Sequence, residues 1–222
     1  MNAMWTILAK DLKIEWRSKT RVMGLACYAA TLLLLFAFAV GPDRRMLAAH
    51  ASAYVWVGIV SVSTLLLAQS FQQEVESDAL EGLLLLPVKP VSIFYGKAIA
   101  NTLWMCLLAV FSLPIAVILF ELDPSGAPWS FAAVVLLGCA GMAAPGTLYS
   151  GLTARLASQQ LMLPVLLFPL VVPTVLSSVK ATNLFCSGDP MDQAGSWMAV
   201  LVALNLLYWT LCGFLFSKVV DE

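Results

Sequence analysis

Apolar residues fill this chain in long runs, and the polar residues gather between them. A helix needs about 20 apolar residues to cross a bilayer core. Six runs of that order are read at roughly 22–40, 51–71, 98–120, 130–154, 156–179 and 197–217. Residues 1–21 differ: Trp5, Leu8, Leu12 and Trp16 recur at helical spacing, with Lys10, Asp11, Lys13, Glu15 and Arg17 between them. Indoles and basic side chains suit the headgroup layer, so this stretch predicts an interfacial amphipathic helix. The first apolar run exceeds the 7–15 residues of a secretory signal core, so cleavage after Ala37-Phe38-Ala39 is not expected.

The main polar interruption follows the second run. Residues 72–97 gather Glu74, Glu76, Asp78, Glu81, Lys89 and Lys97. A helix start is readable there: Asp78 can cap free backbone N–H groups and Glu81, three residues on, can reach back. Leu80, Leu83 and Leu84 would then share one face, and Pro87 and Pro90 would end the element. Such a helix between two spans suits docking onto a soluble partner. A solvated loop with one helical turn is the other reading of the same residues.

Composition places the chain in a membrane. It has 222 residues, 61% hydrophobic and 11% charged, with a mean hydropathy of +0.90, where a soluble domain is about a quarter charged. The net charge of −1 implies no nucleic-acid partner. With six spans both termini share a side. Lys10, Lys13, Arg17, Lys19, Arg21, Lys89, Lys97, Arg155 and Lys218 fall there, and only Arg44, Arg45 and Lys180 fall opposite. The positive-inside rule therefore puts both termini, and residues 72–97, in the cytoplasm.

The fourth run is rich in small residues, among them Gly141, Gly146 and Ser150, which let helices approach closely in lipid. Pro145 would kink it. The fifth run contains Pro164, Pro169 and Pro173, each freeing a backbone carbonyl that lipid cannot satisfy. That helix should pack within protein or line a cavity, and kinked packing and a substrate path remain open. The loop 122–128 reads as a turn, and 182–192 has room for a small surface or re-entrant helix.

No chemistry of the chain's own is readable. It lacks a G-x-x-x-x-G-K-[ST] motif, so it offers no P-loop for ATP. His50 is its single histidine, which excludes a His-pair metal site; it reads as an interfacial histidine or as a haem-iron ligand. The five cysteines have no metal spacing, and Cys186 stands in a polar loop without an obvious partner. Asn101, Asn205 and scattered Ser and Thr inside the spans suit helix packing better than the convergent site of an intramembrane enzyme. A non-catalytic subunit driven by a partner, or a passive scaffold, fits these absences.

Six spans without an engine, an entry helix and a docking helix after span two resemble the membrane half of an ABC-2-type exporter. Ser70-Phe71, Glu74, the run from Asp78 to Pro87, Pro90 and Gly96-Lys97 are similar to the CcmB family, the haem exporter protein B family of bacterial cytochrome c maturation. So are Gly141 to Gly146, Leu163-Pro164 and Phe168 to Pro173. The resemblance covers nearly the whole chain. It implies an all-α inner-membrane protein with its docking helix acting as a coupling helix, in which Glu74, Glu76, Asp78, Leu80, Glu81, Leu83, Leu84 and Pro87 meet a separate CcmA-like ATPase. It further implies CcmC, CcmD and the haem chaperone CcmE as partners and, by ABC-2 analogy, two copies of this chain. Haem is then the ligand the complex handles, ATP and Mg belong to the partner, and this subunit itself binds no cofactor. A permease for another hydrophobic small molecule is the alternative.

Overall fold

The structure is a computed structural model and describes residues 3–72, 75, 90–154, 159–189 and 191–221. The described residues form seven α-helices and no strand. They are α1 (Ala3–Arg17), α2 (Lys19–Val40), α3 (Arg44–Ala68), α4 (Pro90–Phe120), α5 (Pro128–Thr153), α6 (Gln159–Ser187) and α7 (Ala194–Asp221). The last six are long and apolar enough to cross a membrane, so this is an all-helical, multi-pass membrane protein.

The connections set the topology. One end of the bundle holds α1, the exit of α3, the entry of α4 and the exits of α5 and α7. The opposite end holds the α2–α3, α4–α5 and α6–α7 links. There, Asp43 caps α3 by accepting from the Arg45 and Met46 N–H groups at 3.0 and 3.2 Å. Arg44 pairs with Glu121 at 3.0 Å beside the end of α4. Asp189 accepts from the Ala194 N–H at 2.6 Å at the start of α7, and that bond, with a second from Gln193, holds its carboxyl below the usual carboxylate value.

Helix bounds differ from the hydropathy runs where polar residues find partners. α3 starts at Arg44 rather than near 51, because the Asp43 cap and the Glu121 pair accommodate its polar first turn. α4 starts at Pro90 rather than 98, proline being tolerated in a first turn, and it takes in a buried Lys97. α6 runs on to Ser187, so the residues expected to form a separate element in the loop continue this helix instead. Thr182 is buried there and accepts from the Trp56 indole N–H at 2.9 Å. In α1 the buried side runs through Ile7 and Leu8, while Trp5 and Trp16 are exposed. The expected stripe of Trp5, Leu8, Leu12 and Trp16 is therefore split: Gly96 of α4 admits the α1 backbone closely enough to seat Ile7.

The small residues of α5 make it the enclosed helix, with 72% of its apolar stretch buried against 22% for α2. Gly138 lies against the Trp56 ring, Gly141 against Thr174 and Asn205, and Gly146 against the Leu67 side chain. Pro145 is buried within α5. Two α7 side chains donate to α5 carbonyls in the turns preceding it, Asn205 to Leu137 at 2.9 Å and the Trp209 indole to Ala140 at 3.1 Å. In α6, Leu163, Leu167 and Val171 face protein, while Val165, Phe168 and Val172 are exposed. Around its prolines Tyr208 donates to the Leu170 carbonyl at 2.7 Å and Ser177 to that of Pro173 at 2.8 Å. This helix thus packs on one side and faces lipid on the other.

A Cβ at Gly146 would overlap Leu67, which is fully buried, whereas one at Gly24 would meet nothing within 4 Å. Gly146→Ala should destabilise the detergent-purified protein by about 1–3 kcal/mol. Gly24→Ala should leave it unchanged. Thermal unfolding of both variants checks this, and equal stability of the two would show that the α3–α5 contact yields without strain.

Candidate coupling site

The residues expected to meet a partner ATPase, Glu74, Glu76, Asp78, Leu80, Glu81, Leu83, Leu84 and Pro87, lie outside the described residues. The structure does describe both roots of that segment: the chain leaves α3 at Gln69-Ser70-Phe71 and re-enters the bundle at Pro90.

One buried cation ties the two roots together. Lys97 stands two turns into α4 and is 1% exposed. Its ammonium donates to the Ser70 carbonyl at 2.8 Å and to Asp11 Oδ2 at 3.3 Å, and lies 4.5 Å from the centroid of the Phe71 ring. The Ser70 carbonyl is released where α3 ends. A carbonyl, a carboxylate and an aromatic face are the three kinds of partner that make a buried ammonium tolerable. Lys97 therefore fastens α4 to the exit of α3 and to α1 at once.

One turn further on, Asn101 extends the link. Its Nδ2 donates to Ser70 Oγ at 3.0 Å and to Thr147 Oγ1 at 2.9 Å, and Thr147 in turn donates to the Ala143 carbonyl at 2.7 Å. Ser150 donates to the Leu67 carbonyl at 2.6 Å, in the last turn of α3. Phe71 is 2% exposed and packs on Phe216, with ring centroids 6.2 Å apart; Phe94 packs on Phe216 at 5.6 Å. The Tyr95 ring stacks on Trp209 at 6.0 Å, and its hydroxyl donates to the Trp209 carbonyl at 3.2 Å. Both roots are thus held by α1, α5 and α7 as well as by each other.

Beside this network lies a small, partly open cavity of about 30 Å³, bordered by Asp11, Glu15, Gln69, Ser70, Asn101 and Trp104. Gln69 Oε1 and Trp104 Nε1 are buried there without a partner among the described residues. A polar space of that size has room for an ordered water, which would join the two.

Several of these residues had other meanings in the sequence. Lys97 counts there among the cytoplasmic positives, Asp11 among the headgroup-layer charges, and Asn101 as packing glue. The readable signal is Lys97 and Asn101 four residues apart on one face of an apolar helix, since two polar groups so placed must share partners. Gly146 and Ser150 do meet one helix, both at Leu67. Pro164, Pro169 and Pro173 lie on α6 away from this cluster. His50 is exposed near the opposite end of the bundle, with Nδ1 3.1 Å from the Met46 carbonyl. Among the described residues no group of three or more His, Cys, Asp and Glu is placed to hold a metal ion.

Lys97→Met should destabilise the protein by about 1–3 kcal/mol, because the Ser70 carbonyl loses this partner and Asp11 keeps only Lys10. Combining it with Asp11→Asn should cost clearly less than the sum of the two single changes, since residues in one network couple. Thermal unfolding of the four proteins measures this, and strict additivity would mean that Asp11 and Lys97 do not interact.

The CcmB protein family model matches residues 2–221. The "Heme exporter protein B" of Rhodobacter capsulatus is 30% identical over 204 residues, which cover 91% of this chain and 93% of the relative. That of Bradyrhizobium diazoefficiens is 27% identical over 93% of this chain and 92% of the relative. The protein of the same name from Escherichia coli K12 is 25% identical over 90% of this chain and 89% of its own length. With a family match across almost its whole length and relatives that align nearly end to end, this chain belongs to the CcmB family.

Proposed function

We propose that this protein is the membrane subunit of an ATP-driven complex of cytochrome c biogenesis in the bacterial inner membrane, with both termini in the cytoplasm. It hydrolyses no ATP itself; a CcmA-like ATPase does so and docks on residues 72–89. In this reading the work serves haem delivery on the periplasmic side, through release of the haem-loaded chaperone CcmE in a complex that includes CcmC and CcmD. Two copies of this chain, each with an ATPase, make the unit. The relatives named for haem export support the class of cargo.

The observation that carries the coupling role is the fastening of both roots of the docking segment. A force on residues 72–89 enters the bundle at Ser70 and at Pro90. Lys97 and Asn101 hold Ser70 to α4 through its carbonyl and its hydroxyl, so α3 and α4 are displaced together rather than spread apart. Thr147 and Ser150 pass the displacement to α5, and Asp11 passes it to α1. A group of helices joined by short hydrogen bonds moves as one body about its looser contacts, which is how domain closure in one subunit becomes helix movement in another.

The test is recovery of partners with the tagged protein from mild detergent. An ABC ATPase together with CcmC-like and CcmE-like proteins supports the maturation complex. An ATPase alone would turn the reading to a permease for another hydrophobic small molecule, and no ATPase at all would overturn it. In the same assay, replacing Leu83 and Leu84 together by Asp should abolish ATPase recovery while membrane insertion stays intact. His50→Ala should leave cytochrome c maturation near normal, as measured by covalent haem staining of membranes, since its ring is exposed and bonded within its own helix; total loss would make His50 a haem ligand.

A further inference from the structure

We propose that the trough between α1, α2 and α4 binds an anionic phospholipid, with the phosphate between Lys13 and Lys19 and the acyl chains on either side of Trp16. Two grooves adjoin there, one of about 560 Å³ between α1 and α4 and one of about 440 Å³ between α2 and α4. Trp16, Trp104 and Leu107 border both, so they form one trough divided by the Trp16 indole. Trp16 is 69% exposed although its ring centroid lies 6.3 Å from that of Trp104. The second groove is lined deeper in by Met23 and Phe111, both exposed. From Leu103 to Phe111 the trough follows α4 for about 12 Å, most of the hydrocarbon depth of one leaflet.

The charges at its rim select the headgroup. Lys13 borders one groove and Lys19 the other, three residues to either side of Trp16. Among the described residues neither forms an ion pair. The nearby carboxylates are engaged elsewhere: Asp11 with Lys10 and Lys97, and Glu15 with Arg21. Both also border the small polar cavity rather than the trough. The result is an apolar trough whose cationic rim pairs with no described carboxylate, divided by the exposed Trp16 indole. A soluble anion would satisfy the lysines and leave the apolar walls bare. A second copy of this chain laid across the trough in a two-fold arrangement would set its own Lys13 and Lys19 near these, which repels. A phospholipid with an anionic headgroup satisfies both parts.

The test uses the full chain in mild detergent and two probes, phosphatidylglycerol and phosphatidylcholine, each with brominated acyl chains. The readout is the tryptophan quenching that is lost in Trp16→Phe. Brominated phosphatidylglycerol should reach half-quenching at a mole fraction roughly tenfold below that of brominated phosphatidylcholine. Lys13→Gln with Lys19→Gln should bring the two lipids together, while Lys13→Arg with Lys19→Arg should keep the preference. Equal midpoints in the unaltered protein would overturn the proposal. So would the absence of Trp16-dependent quenching by either lipid, which would assign the trough to a protein neighbour. If the double Gln variant does not fold, the midpoints of the unaltered protein decide.

Discussion

The arrangement of the N-terminal half depends on one buried ammonium. Lys97 lies where α1, the end of α3 and the start of α4 converge, and is 1% exposed. An ammonium moved out of water loses several kcal/mol of solvation in practice. The helices around it are therefore constrained to bring oxygen atoms to it. Ser70 offers its carbonyl only because α3 has ended and no longer uses it within the helix. Asp11 reaches it only because α1 lies close on α4, and Gly96 permits that approach, the Met4 carbonyl and Ile7 leaving no room for a side chain at that position. One residue thus ties together the end of one helix, the first turns of a second and the side of a third.

The rest of the bundle follows from what lipid does not supply. Between helices in a membrane there is no hydrophobic driving force, since acyl chains are as apolar as leucine, and association rests on close packing and hydrogen bonds. α5 supplies the first with Gly138, Gly141 and Gly146, each facing a side chain of a different size: Trp56, Thr174 and Leu67. It supplies the second with Thr147 and Ser150. Because both kinds of contact sit on the same helix, α5 is the common neighbour of α3, α4, α6 and α7, and the polar links to α3 and α4 collect in its last two turns.

Much of this fold was legible in the sequence, because six apolar runs separated by short polar stretches leave few alternatives. The bounds were less so. Hydropathy treats Arg44, Lys97 and Lys180 as stops, yet an ion pair, a carbonyl or an aqueous end lets a helix pass through each. The roles of single polar residues were the least legible. Asp11 looks like any headgroup-layer charge until Lys97 is found within reach of it, and those residues lie far apart in the chain. Asn101 was readable as packing glue but not as the bridge between Ser70 and Thr147, since which partners a buried amide finds depends on three helices at once. The small residues of α5 were readable as a packing face, and the structure adds what each of them faces.

The distribution of these links bears on how such a bundle could move. The end that holds the roots of residues 72–89 is joined by a largely buried ion pair, two hydrogen bonds from the Asn101 amide and the Ser150 link. The opposite end is joined across α3 and α4 by Arg44 and Glu121, whose side chains are 83% and 53% exposed. An exposed pair contributes about 0–1 kcal/mol, whereas losing one partner of a buried pair costs several. The polar α3–α4 link at that end is therefore the weaker of the two, with the Tyr54 and Phe120 rings, 5.3 Å apart, packed beside it. Displacement applied at Ser70 and Pro90 would carry the fastened ends of α3, α4 and α5 together, and relative motion would appear at the far end of α3 and α4. In the proposed coupling role that asymmetry would leave the bundle stiff where it is pushed and more compliant at the opposite end.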